Sequence, residues 1–182
     1  MQMAERNEKD PSQQARLDEL QNLLQQTISN LRRLVRGLRP IYLEDLGLST
    51  ALEMLAQETQ QKSRLMTTFE QSGQEIRLSS DCEVSIYRIS QEAINNIIRH
   101  AAASQINIHL SFQEGRLELS IQDNGQGFVV PENLNGFSTQ EHFGLVGMSE
   151  RAEEMGAHLS ITSTPGQGTS IYLVVPISNT GK

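Results

Sequence analysis

The feature that most constrains this fold is a pair of alternating runs around one tight turn. Ile106, Ile108 and Leu110 alternate with polar residues, and Leu117, Leu119 and Ile121 repeat the pattern after Glu114-Gly115. A side-chain period of two on both sides of a turn predicts a β-hairpin with one apolar face. Such a face must be covered. Helix-period segments flank it: Ser49 to Lys62, capped near Ser49, and a long helix capped by Ser80 or Asp81 that reaches about Ala102. A strand over Arg64 to Glu70 separates them. Further on, a helix from about Leu145 to Met155 ends at Gly156. Strands Ala157 to Ser163 and Thr169 to Val175, joined by Pro165-Gly166-Gln167-Gly168, close the pattern. Val129 to Glu141 is polar, lacks periodicity and reads as a loop. The expected class is α+β, a two-layer sandwich with a mostly antiparallel sheet.

A different pattern precedes Pro40. Leu17, Leu20, Leu24, Thr27, Leu31, Leu34 and Leu38 follow a heptad seam. Leu23, Ile28 and Val35 widen it into a bundle-type stripe. Pro40 stops this long N-terminal helix, because its ring disfavours helical geometry at Arg39. The stripe needs a partner, either the following domain or further helices, most simply in a homodimer. Arg32, Arg33, Arg36 and Arg39 suit the helix dipole or an acidic partner. Two regions are expected, 1–45 and 46–182. The net charge of -7 argues against general nucleic-acid binding. Cys82 is the only cysteine, so no intramolecular disulfide or multi-cysteine zinc site can form. No apolar run nears the roughly 20 residues that span a bilayer. The segment is expected to be cytoplasmic, without membrane contact of its own.

Four stretches carry chemistry. In "QEAINNIIRH", Glu92 and Asn96 are four apart and share a helix face, with Asn95, Arg99 and His100 nearby. The Asn96 carbonyl oxygen can ligate Mg²⁺, Arg99 or His100 can meet phosphate, and Glu92 can orient a water or polarise a hydroxyl. A solvated helix face also fits. In "IQDNGQGF", Asp123 stands at a strand end. Ionised, it only accepts hydrogen bonds, so it suits a donor such as the adenine amine and repels the oxygen of guanine. Gly125 and Gly127 keep the main chain bare beside it. Asp-Asn-Gly is also a good turn. Gly144 and Gly147 precede or open the helix of Ser149 to Met155, a place for an anion or simply a cap. Gly166 and Gly168 make a tight connection, where Thr169 could bond a base or phosphate.

Together and in this order, these stretches resemble the N, G1, G2 and G3 boxes of the ATPase domain of sensor histidine kinases, a member of the Bergerat-fold superfamily. The resemblance covers about Leu46 to Pro176. "LRRLVRGLRPIYLEDLGLSTALEMLAQE" is similar to the junction after the dimerisation helices in the nitrate-sensor and membrane-fluidity-sensor subfamily. The resemblance implies catalytic roles for Glu92 and Asn96, with Mg²⁺ on Asn96. It implies ATP contacts by Asn96, Arg99, His100, Asp123, Gly125, Gly127, Gly144, Leu145, Gly147, Met148 and Thr169. Val129 to Glu141 would be the ATP lid. Partners would be a response-regulator receiver domain and a second copy, through the N-terminal helix. The family's phosphoacceptor His has no counterpart here: His100, His109, His142 and His158 all fall outside the first region. The chain therefore reads as the C-terminal part of a longer kinase, which could be membrane-anchored, binding ATP without autophosphorylation on the usual site. The alternative is an anti-sigma-factor serine kinase of the same fold, or a degenerate nucleotide sensor.

Overall fold

The computed structural model describes residues 41–130 and 143–177. The heptad helix before Pro40, most of the expected lid and the chain end after 177 lie outside them. Helix α1 (Ile41–Lys62) leads to strand β1 (Met66–Ser72). Helix α2 (Ser80–Asn96) runs into a π-helical turn (Ile97–Ala101). Strands β2 (Gln105–Gln113) and β3 (Arg116–Asp123) form the expected hairpin. Helix α3 (Phe143–Glu154) and strands β4 (His158–Ser163) and β5 (Thr169–Pro176) follow. The sheet has five strands in the order β1-β2-β3-β5-β4. The β2–β3, β3–β5 and β4–β5 pairs are antiparallel. Only β1–β2 is parallel among the described strands, because α2 intervenes as a crossover.

Residue parity sorts the two faces. Ile106, Ile108, Leu110, Leu117, Leu119, Ile121 and Leu173 are essentially fully buried beneath the helices. Each contributes about 1.5–3 kcal/mol by leaving water. The opposite parity is polar. Thr68, Asn107, Gln122, Ser170 and Thr162 line up across all five strands in register. Helix α1 buries Leu48, Ala51, Leu52, Leu55, Ala56 and Thr59, one face at helical spacing. Helix α2 buries Ile86, Ile89, Ala93 and Ile94 in the same way.

Three element starts differ from the sequence reading. Helix α1 begins at Ile41 and is broken at Gly47, with φ 85° and ψ 172°. Ser49 does not cap it. The Ser49 amide donates instead to Glu75 Oε1 at 3.1 Å, and the Ser49 hydroxyl is buried without a hydrogen bond among the described residues. Helix α2 is capped by Ser79, whose hydroxyl accepts from the Cys82 amide at 3.4 Å. Helix α3 opens by Phe143, so Gly144 and Gly147 lie inside it. Cys82 itself is a half-buried packing residue, with its sulfur 3.8 Å from that of Met155. Burial and then the Glu83 charge push its thiol pKa up, so its nucleophilic thiolate is suppressed.

Arg77 ties the start of α1 to α2. It donates to both Glu83 oxygens, at 3.0 and 3.2 Å, and to the Leu43 carbonyl at 3.4 Å. Glu83 is only 2% exposed and also accepts the Leu78 amide. Arg77→Met removes the charged partner and leaves the carboxylate buried. The guanidinium is half exposed, so the expected loss is about 1–2 kcal/mol. It would appear as a lower urea midpoint with an unchanged slope. An unchanged midpoint would show that solvent replaces the pair at no cost.

Candidate functional site

The site forms where α2 ends and β3 stops. Inner-face parity along β3 runs Leu117, Leu119, Ile121 and then Asp123. A carboxylate therefore lies where an apolar side chain would continue the core, only 9% exposed. Its Oδ1 accepts the Gly125 amide at 2.7 Å. Its Oδ2 is buried with no hydrogen-bond partner among the described residues. Thr169, the first residue of β5, is its directly opposed neighbour in register.

The loop after Asp123 is fastened to the helix end. Helix termini leave carbonyls without intrahelical donors. Here the Gln126 amide donates to Ala101 O at 2.7 Å, and the Gln126 side chain donates to His100 O at 2.6 Å. The π-helical turn presents those carbonyls, in keeping with the frequent occurrence of such turns at functional sites. Asn124 is occupied on the other side. Its Oδ1 accepts the Ser104 and Gln105 amides at 2.9 and 3.0 Å.

The bare glycines have a packing cause. A Cβ on Gly125 would lie 2.2 Å from the Ala101 carbonyl oxygen, and its φ is not positive. A Cβ on Gly127, at φ 59°, would lie 2.1 Å from the Thr164 carbonyl oxygen. These positions are bare because three main-chain segments cross there. That crossing brings the loop against the cavity wall.

The cavity measures about 270 Å³, near the lower end, about 300 Å³, of ordinary small-molecule pockets. Ala93, Ile97, Ala101, Phe128, Leu145, Ile161 and Ile171 give it apolar walls. Asn96, His100, Asp123, Gln126 and Thr169 supply its polar groups, and Gly127 its bare edge. Of the residues named from the sequence, Asn96, His100, Asp123, Gly127, Leu145 and Thr169 thus meet around one space. Glu92 lies outside the lining, one turn before Asn96 and pressed against α3. A Cβ on Gly144 would come 2.5 Å from Glu92 Oε1 and 3.1 Å from Asn96 Nδ2, so Gly144 serves helix approach. Arg99 and Asn95 are exposed and outside the lining. Met148 is fully buried in the core, and the Gly147 carbonyl accepts from Arg151. Gln126 and Phe128 line the cavity and Ser163, outside the lining, bonds the Phe128 amide and the Thr169 hydroxyl; the sequence reading singled out none of the three. The first two lay within the quoted motif, whereas Ser163 had no sequence signal.

Asn96 and Glu92 also test the fit of a metal. Among the described residues no group of three or more His, Cys, Asp or Glu is arranged around a common point. One amide oxygen and one carboxylate suit Mg²⁺, which keeps waters and takes its remaining oxygens from phosphate. No described helix is long and apolar enough to cross a membrane.

Helices on one face of a sheet, with a cavity at the strand ends lined by a carboxylate that keeps one oxygen free, define a small-ligand-binding α+β domain. The chain belongs to the family described as histidine kinase-, DNA gyrase B-, and HSP90-like ATPase, matched over residues 81–179. An uncharacterized sensor-like histidine kinase of Chloroflexus aurantiacus is 36% identical over 177 residues, 94% of this chain and 30% of that protein. The signal transduction histidine-protein kinase/phosphatase DegS of Brevibacillus brevis is 30% identical over 160 residues, 88% of this chain and 40% of that protein. UhpB of Salmonella typhimurium, likewise a histidine-protein kinase/phosphatase, is 38% identical over 144 residues, 79% of this chain and 28% of that protein. The chain thus spans less than half the length of these curated relatives. Among solved structures, the Acinetobacter baumannii histidine kinase AdeS superposes with a TM-score of 0.61 at 14% identity, over 94% of this chain and 87% of that one. The catalytic domain of histidine kinase ThkA gives 0.54 at 16% identity, over 71% of this chain and 90% of that one. The fold is therefore the α+β ATPase sandwich expected from the sequence.

Proposed function

We propose that this domain binds ATP with its adenine in the cavity beside Asp123, as the catalytic ATP-binding part of a sensor histidine kinase. One observation carries the reading. The buried Asp123 Oδ2 lacks a partner among the described residues, and a buried acceptor without a donor is costly. The adenine amine supplies that donor, and the apolar walls suit a flat ring. His100 lies on the cavity lining and would meet the phosphates. Asn96, with Glu92 one turn away, would hold Mg²⁺, which neutralises phosphate charge in phosphoryl transfer.

The parent protein would phosphorylate a His on an upstream helix and pass the group to an Asp of a response regulator. The relatives' names support this assignment over a serine kinase of the same fold. The "GLRPIYLEDLGLSTALEML" junction supports the nitrate-sensor and membrane-fluidity-sensor subfamily, with homodimer pairing through the preceding helix. Calorimetric titration of the folded chain with Mg-ATP tests the central claim, and absence of uptake would end it. Asn96→Ala is expected to abolish the gain in affinity that Mg²⁺ confers, with a smaller change in metal-free binding. Titrations with Mg²⁺ and with EDTA check this, and parallel losses in both would remove Asn96 from metal binding.

A further inference from the structure

We infer that Ser163 is a positioning residue: it holds the Thr169 hydroxyl as an acceptor, so that the opposed pair Asp123 and Thr169 both turn lone pairs to the cavity. The inference rests on the reading of that cavity as an adenine site. It follows from counting protons. Ser163 Oγ receives the Phe128 amide at 2.9 Å. It lies 2.9 Å from the Gly168 carbonyl oxygen and 3.0 Å from Thr169 Oγ1.

A serine hydroxyl has one proton. A carbonyl can only accept, and two oxygens this close repel unless a proton lies between them. The Ser163 proton therefore points at Gly168. The bond between Ser163 and Thr169 must then be donated by Thr169. That consumes the only proton of the Thr169 hydroxyl, leaving it lone pairs for the cavity. Asp123 Oδ2 is also a bare acceptor there. The two residues are directly opposed across β3 and β5 and both line the cavity.

An amino substituent on a purine brings N–H groups to this end. An oxo substituent instead sets its lone pairs against those of Asp123 Oδ2 and Thr169 Oγ1. A Thr169 hydroxyl free to turn could donate to that oxo group and soften the rejection. Ser163 prevents the turn, so it sharpens discrimination without touching the base.

The test compares ATP with inosine triphosphate, which carries oxo in place of amino and a proton on the adjacent N1; that second difference is common to every variant, so the change in the ratio between variants reads Ser163. The wild-type chain is expected to bind ATP more tightly by calorimetry. Ser163→Ala should narrow the ratio of the two dissociation constants by roughly two- to tenfold, the worth of one neutral hydrogen bond. Ser163→Thr should restore it. In a Thr169→Val background, Ser163→Ala should change the ratio no further. Parallel weakening of both nucleotides, with the ratio intact, would overturn the inference and leave Ser163 a structural residue. If Ser163→Ala does not fold, Thr169→Val decides alone, and an unchanged ratio there also overturns it. Folded wild-type chain that takes up no ATP would overturn both the site reading and this inference.

Discussion

Asp123→Asn is expected to lower ATP affinity by tenfold or more while leaving the melting temperature of the nucleotide-free chain intact or raised. The direction follows from the two oxygens. Oδ1 accepts the Gly125 amide, so the oxygen of Asn stays there and its NH₂ group takes the Oδ2 position. A donor then faces the donor on the base. The lost bond is charge-assisted, worth about 1.5–3 kcal/mol, and the new contact is repulsive as well. Without nucleotide the substitution removes a buried charge whose second oxygen has no partner, so the fold loses nothing by it. Calorimetry and thermal denaturation read the two effects separately. Falling stability together with falling affinity would make Asp123 a structural residue. Unchanged affinity would remove it from base recognition.

Gly127→Ala is expected to cost about 2 kcal/mol or more in stability and to abolish nucleotide binding. Two penalties add at this position. Its φ of 59° is left-handed, which costs an L side chain about 1–2 kcal/mol. The new methyl would also lie 2.1 Å from the Thr164 carbonyl oxygen and 2.9 Å from that of Gly168. Both obstacles are main chain, so neither can swing aside. Relief requires the β4–β5 connection to move, and Thr169 moves with it. The urea midpoint should fall with an unchanged slope. By contrast, Gly156→Ala meets no neighbouring atom within 4 Å and carries only the conformational penalty at φ 66°. If both variants lost equal stability, crowding would be excluded as the cause at Gly127.

Much of the site was legible because it follows local rules. Alternation placed Ile121 on the buried face, and two residues later the same parity buried Asp123. Helical spacing put Asn96 one turn from Glu92 and beside the cavity wall. The remainder depended on partners far away in the chain. The break at Gly47 leaves the helix of residues 49–62 as expected, but its cap was not legible, because the Ser49 amide is met by Glu75, 26 residues further along. The two glycines of "FGLVG" read as preceding or opening a helix, yet they lie within α3, where Gly144 admits Glu92 of α2. Ser163 carried no signal at all, since the amide, carbonyl and hydroxyl around it converge only once β4, β5 and the loop after β3 meet.

The sequence by itself determined the α+β layering, the strand parities and the carboxylate at the end of β3, since each depends on side-chain period along a single segment. Only the tertiary structure decided why the glycines are bare, which residues share the cavity and which groups surround the Thr169 hydroxyl. Those depend on contacts between segments, where a few tenths of an ångström and a single proton separate one arrangement from another.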